Sequence, residues 1–212
     1  VQKRGNTVSN ELIAMIVGYL IGSVSFALLV SKFAGRGDIR SYGSGNAGAS
    51  NVARNLGWKA GVLTLLGDVL KGALAVYIGG RISPGDGALL AGAGAFIGHR
   101  YPLYFGLKGG KCAATLGGVF LAIDIRIALC YLAAWIVIML VTRYAALATS
   151  IGCWALPVAS YYFRPDIPRL HIYAVMLCWL LVFFHRDNFK RLRRKTEPRL
   201  DFKRHENEEK YG

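Results

Sequence analysis

Residues 12–31 run for twenty positions without a formal charge, closed by Glu11 on one side and Lys32 on the other. A helix crossing the hydrocarbon core of a bilayer needs about 20 mainly apolar residues, because every backbone N–H and C=O there must be satisfied within the segment. The pattern recurs along the chain. Residues 61–80 form a second apolar segment, interrupted by Asp68 and Lys71, and residues 87–98 and 113–123 are shorter and glycine-rich. Residues 127–142, 144–163 and 170–184 complete the series. This pattern predicts an all-α integral membrane protein built as a seven-transmembrane-helix bundle, or five spans if the two short segments are re-entrant. The basic start, Lys3 and Arg4, with small residues near Ser23 and Ser25, resembles a secretory signal, but the apolar run is long for one and further spans follow.

Charge is uneven. Sixteen of the 38 charged residues fall in the last 28 positions, leaving 22 over the first 184. A net charge of +14 therefore does not indicate a nucleic-acid partner, since no helix face outside the tail is polar enough to meet a phosphate backbone. A mean hydropathy of +0.37 excludes disorder. Cys112, Cys130, Cys153 and Cys178 stand singly without C-x-x-C spacing, so neither a metal site nor a disulfide frame is indicated. Lys and Arg accumulate in cytoplasmic loops. With seven spans and the N-terminus outside, 19 basic residues face the cytoplasm and six the exterior, Lys71 lying inside a span. The expected organisation is one membrane domain over residues 1–197 and a charged cytoplasmic tail over 198–212.

Three polar clusters stand out, all predicted at cytoplasmic ends of spans. The first holds Gly43, Ser44, Gly45, Asn46, Asn51 and Arg54. Its glycines free the backbone to bring N–H groups to an anion, and Arg54 adds a planar fork for phosphate or carboxylate. A flexible loop with an exposed arginine is the plainer alternative. The second runs from His99 through Lys108, Gly109, Gly110 and Lys111. It lacks the glycine and hydroxyl of a nucleotide P-loop, because positions 105 and 112 are Phe and Cys. What remains is a glycine turn with two ammonium groups. In the third, His185, Asn188 and Leu192 fall on one face if the helix continues past the membrane; a histidine capping the span is the alternative. Asp68 and Lys71, at i, i+3 spacing, neutralise one another as a structural pair. Gly18 with Gly22 and Gly94 with Gly98 form GxxxG pairs suited to close helix packing.

Taken in order, these blocks resemble the bacterial acyl-phosphate:glycerol-3-phosphate acyltransferases of the PlsY type. That family's pattern is G-S-G-N-x-G-A-T-N-x-x-R, D-x-x-K-G, H-x-x-P-x-x-x-x-F-x-G-G-K-G-x-A-T and H-x-x-N-x-x-R-L with a later Glu. It stands here over residues 43–54, 68–72, 99–115 and 185–197. The departures include Ser50 for Thr, Cys112 for Gly, and Ser25 where the family has Pro. The resemblance implies transfer of an acyl group from acyl-phosphate to the 1-hydroxyl of sn-glycerol 3-phosphate, giving lysophosphatidate and phosphate. It implies a bacterial inner-membrane location with the site facing the cytoplasm. Because the mixed anhydride is already activated, no cofactor or metal is implied, and no obligate protein partner.

By carry-over, Ser44, Arg54, Lys111, His185 and Asn188 are the expected catalytic residues. Gly43, Gly45, Asn46, Asn51, Lys108, Gly109 and Gly110 are the expected substrate contacts, and Asp68, Lys71 and Glu197 support the site. Arg54 and Lys111 would hold phosphates, Ser44 and Asn188 would hydrogen-bond phosphate or oxyanion, and Glu197 would lock the tail to the bundle. His185 would act either as general base or to orient glycerol phosphate. At Cys112, a non-glycine residue predicts negative φ, with the thiol turned away from phosphate; a thiol nucleophile is the alternative. The rival reading is a transporter of a phosphorylated solute, which would place polar groups near the bilayer midplane between inverted repeats; a lipid-binding scaffold is a third.

Overall fold

The structure, a computed structural model, describes residues 2–199; residues 200–212 of the expected tail lie outside the described residues. Among the described residues all regular structure is helical. Three segments are long and apolar enough to cross a bilayer: Thr7–Phe33, Trp58–Ile82 and Ile125–Thr142. A fourth forms if Pro168–Phe184 and Arg186–Arg193, bent by 48° at His185, are taken as one.

The first segment is not the continuous helix that the sequence predicts. Helix α1 (Gln2–Gly22) stops, Ser23–Ser25 is non-helical, and α2 (Phe26–Phe33) restarts with Ser25 as its N-cap. A break inside an apolar bundle frees backbone groups that lipid cannot satisfy. Here they are answered locally and from afar: Ser23 Oγ donates to Tyr19 O at 2.8 Å, and Lys71 Nζ donates to Val24 O at 2.7 Å. Lys71 lies on α4 (Trp58–Ile82), where Asp68 Oδ1 approaches it at 2.7 Å. Both are buried. The structural pair expected from their spacing therefore exists, and the cation it keeps also caps a helix break 47 positions earlier.

The segment over 144–163 also divides, into α8 (Ala145–Gly152) and α9 (Ala155–Phe163). Pro157 explains it. Proline lacks the N–H that would bond the carbonyl four residues back, and its ring clashes there. That residue is Cys153, whose carbonyl instead accepts from Leu156 N and from Cys178 Sγ on α10 (Pro168–Phe184).

Glycines set the helix spacing. A Cβ on Gly18 would meet Ala91 O at 2.1 Å, and one on Gly98 would meet Tyr19 O at 2.2 Å, so α1 and α5 (Gly87–Arg100) touch backbone to backbone. The GxxxG pairs are packing devices. Gly72 on α4 and Gly118 on α6 (Ala113–Ile123) do the same for that pair. Phe96, Leu116, Phe120, Leu156 and Leu181 fill the main core together with Ile127 of α7 (Ile125–Thr142).

The loops sort into two ends of the bundle. At one end Arg40 Nη1 donates to Phe105 O and Lys108 O at 2.8 and 2.9 Å, and Arg199 Nε donates to Tyr144 OH at 2.8 Å. At the other, Arg126 donates to Phe163 O, Arg164 to Ile123 O, and Arg169 pairs with Asp86.

Removing one member of a buried ion pair strands the other, at about 3–5 kcal/mol. Asp68→Ala is expected to lower the melting midpoint in detergent sharply, and the double variant Asp68→Ala/Lys71→Met by less than the single substitutions combined. Equal midpoints for wild type and Asp68→Ala would contradict this.

Candidate active site

The first cluster is built around one buried amide. Asn51, on α3 (Ala49–Leu56), donates through Nδ2 to Ile39 O and Tyr42 O, and its Oδ1 accepts from Ser44 N at 3.0 Å and from Asn55 Nδ2 at 3.1 Å. Three of these hydrogen bonds fold residues 39–44 over the helix, so the segment is a fixed turn. Gly43 and Gly45 take positive φ, +56° and +70°, which glycine adopts without a Cβ penalty. Asn51, expected as a substrate contact, has its amide hydrogen-bonded to the loop while it also lines the candidate site. Ser44, Asn46 and Arg54 face a cavity, Arg54 from the last turn of α3.

The second cluster is shaped by His99. A Cβ on Gly109 would lie 2.0 Å from His99 O, and one on Gly110 2.1 Å from His99 Nε2. These glycines, expected as substrate contacts, instead let the loop close over the histidine, and neither they nor exposed Lys108 line the cavity. His99 Nδ1 lies 3.1 Å from Thr115 Oγ1 and 3.4 Å from Asp68 Oδ1. The buried pair is thus a larger network reaching to the base of the Lys111 loop. The sequence reading placed His99 in a motif but gave it no part in the site; the need of buried Asp68 for a second partner was the available signal.

Lys111 points the other way, onto Asn188 Oδ1 of α11 (Arg186–Arg193). Asn188 Nδ2 donates to Glu197 Oε1 at 2.6 Å, and Arg191 Nε donates to Glu197 Oε2 at 2.7 Å. A chain of contacts therefore runs from Lys111 through Asn188 to Glu197, folding the segment after α11 back onto the site. Burial, with Arg191 and Arg100 adding repulsion, pushes the Lys111 ammonium down to about 8. His185 sits at the bend between α10 and α11, so the continuous helical face expected for His185, Asn188 and Leu192 is interrupted at its first member. Its Nδ1 lies 2.8 Å from Leu181 O. A carbonyl only accepts, so Nδ1 carries the proton and Nε2 keeps its lone pair. Burial, despite that hydrogen bond, pushes the imidazole down to about 4, leaving it neutral at physiological pH.

These groups line one end of a cavity of about 430 Å³. Ser44, Arg54, Lys111, His185, Asn188 and Glu197 meet there although their codons are spread over three quarters of the chain. From that end an apolar trough runs between α4, α6 and α7, lined by Leu65, Val69, Leu121, Leu129 and Leu132. Leu65, Leu121, Leu129 and Leu132 are also exposed, so the trough is open to the surface along its side. A space that is cationic at one end and alkyl-lined along its length accepts an anion joined to a hydrocarbon chain.

A family profile described as glycerol-3-phosphate acyltransferase matches residues 12–195. The chain belongs to this family. It is 41% identical over 190 residues to a glycerol-3-phosphate acyltransferase of Brucella anthropi, covering 90% of this chain and 93% of that protein. It is 43% identical over 196 residues to one of Paraburkholderia xenovorans, covering 90% and 91%. The crystal structure of PlsY, an integral membrane glycerol 3-phosphate acyltransferase, in its glycerol 3-phosphate form matches with a TM-score of 0.82 at 34% identity, over 90% of this chain and 96% of that one. Its lysophosphatidic acid form matches at 0.79 and 33%. The membrane fold read from apolar runs thus coincides with that of an integral membrane relative.

Where this chain departs from the family pattern, the sequence expectation fails in an informative way. Cys112 has φ +66°, not the negative value predicted for a non-glycine residue. The left-handed turn that glycine serves is kept, and the thiol donates to Phe96 O at 3.1 Å, fully buried. Burial pushes the thiol pKa far up, which removes the case for a thiolate nucleophile. Because L-residues pay about 1–2 kcal/mol in this conformation, Cys112→Gly should melt above Cys112→Ala by about 2–8 °C. The reverse order, normal where φ is negative, would contradict the turn.

Proposed function

We propose that this chain transfers a fatty acyl group from acyl-phosphate to the 1-hydroxyl of sn-glycerol 3-phosphate, forming lysophosphatidate and inorganic phosphate. The observation that carries the reading is the two-part cavity, with Arg54, Lys111 and Asn188 at its polar end and an open alkyl trough leading away. The reaction brings two anions together, and fixed cations offset their repulsion while holding hydroxyl and carbonyl within reach. Arg54 and Lys111 hold the two phosphates. Ser44 donates to phosphate or to the carbonyl oxygen as it gains charge, and Asn188 joins it with the amide N–H not given to Glu197.

The hydroxyl oxygen bonds the acyl carbon, the bond between that carbon and the phosphate oxygen breaks, and phosphate leaves. The hydroxyl proton passes to phosphate, not to His185. An imidazole held near 4 is a weak base at pH 7, whereas its free Nε2 is well suited to accept the hydroxyl hydrogen bond and aim the attacking oxygen. The Asp68–His99–Thr115 network supports the Lys111 loop from beneath, and Glu197 fixes Asn188. The seven apolar segments are read as seven crossings, and with that count the 19-to-6 distribution of basic residues favours a C-terminus and a polar cavity end at the cytoplasmic face of a bacterial inner membrane. The whole of 1–197 serves as one catalytic domain.

Purified protein should release phosphate from palmitoyl phosphate only when glycerol 3-phosphate is present, and Arg54→Ala or Lys111→Ala should slow this by about 10²–10³-fold. Robust turnover with palmitoyl-CoA in place of the acyl-phosphate would overturn the donor assignment.

The pH profile gives a second test. The Lys111 charge is present below about 8 and lost as pH rises through it, so kcat/KM for glycerol 3-phosphate should fall above that pH. The acid limb should sit at about 6, where substrate phosphate takes up its second proton. In Lys111→Arg the alkaline fall should move upward by more than one unit; an unchanged limb would remove Lys111 from phosphate binding.

A further inference from the structure

Helix α6 carries two consecutive glycines that face different surroundings. They are about 100° apart around the helix axis. A Cβ on Gly118 would lie 1.9 Å from Val69 O, so that glycine lets α6 touch α4. A Cβ on Gly117 would meet nothing closer than the Tyr131 ring, at 3.6 and 3.8 Å, which is ordinary contact. The helix spacing therefore does not require glycine at position 117. Its missing side chain opens instead onto the trough, which Gly117 lines together with Ala113, Ala114 and Leu121 of the same helix.

We infer that Gly117 sets the bore of the trough and so determines which hydrocarbon chains the enzyme accepts; the inference rests on the trough being the acyl site. Ala113, Ala114, Gly117 and Leu121 share a face of α6 by helical spacing, small near the polar end and bulky further along. Gly117 lies about 6 Å along the helix from Ala113, at 1.5 Å per residue. The opposing wall is α7, where Tyr131 is buried and held against the core. Tyr131 thus leaves the width at this level to residue 117. A linear saturated chain passes a glycine here, whereas a branched side chain at 117 meets the methylenes a few carbons from the acyl carbonyl. The headgroup lies beyond this reach, because Ser44, Arg54 and Lys111 stand on other elements at the polar end.

The test is a graded series, Gly117→Ala, Gly117→Val and Gly117→Leu, read with palmitoyl phosphate, butyryl phosphate and glycerol 3-phosphate. A misplaced bulk in an apolar pocket changes selectivity by about tenfold or more. Gly117→Leu should raise KM for palmitoyl phosphate by at least about that factor, with Val and Ala following in order of size. KM for glycerol 3-phosphate should hold, and butyryl phosphate, too short to pass residue 117, should be affected least. Titration with 1-palmitoyl lysophosphatidate gives the same comparison without turnover: its affinity should fall along the series. If Leu does not yield folded protein, as judged by its melting midpoint, the Ala and Val variants carry the comparison, since a Cβ at position 117 makes only ordinary contact. Wild-type affinity for palmitoyl lysophosphatidate in folded Gly117→Val or Gly117→Leu, or a parallel loss for glycerol 3-phosphate, would overturn the inference. Failure of the wild type to use palmitoyl phosphate would instead overturn the proposed donor, and the lysophosphatidate titration would still decide the role of Gly117.

Discussion

A single buried ammonium ties the fold to the site. Lys71 caps the carbonyl freed by the break between α1 and α2, and is paired within the apolar bundle with Asp68, which also faces His99. His99 in turn has Gly109 and Gly110 closed over its backbone and ring, and those glycines lead into Lys111. A charge placed among apolar helices is unfavourable unless paired and hydrogen-bonded. Here the pairing links the interrupted first helix, the middle of α4, the end of α5 and the start of α6. The polar end of the cavity stands on top of that assembly.

The apolar runs were enough to read an all-helical membrane chain, because a bilayer leaves the backbone few alternatives. Both interrupted segments, 12–31 and 144–163, contain no charge that would mark the break. The first break depends on Lys71, 47 positions away, and the second on the missing N–H of Pro157. A window of hydropathy averages over both. The polar clusters were legible as clusters, yet composition did not separate groups facing the cavity from groups that shape it. Ser44 and Asn51 both looked like anion contacts; only the folded turn shows that the Asn51 amide is taken up by Ile39, Tyr42, Ser44 and Asn55.

Cys112 shows how a motif outlives one of its residues. The turn after Lys111 demands a left-handed backbone, and it persists with a thiol in place of hydrogen because the sulfur finds Phe96 O and a dry pocket. Local propensity argued for negative φ; the loop closed over His99 and the N-terminus of α6 outweighed it.

The trough is walled by helices along its length but open on the flank where Leu65, Leu121, Leu129 and Leu132 reach the surface. A chain lying in it need not leave the membrane at either end of the catalytic cycle. Encounter then takes place in two dimensions, and the relevant concentration is the number of donor molecules per unit area of bilayer. The water-soluble partner, by contrast, arrives from a volume. In the proposed reaction a surface density is converted into a rate against a bulk concentration, so the lipid content of the membrane itself would enter the kinetics as a diluent.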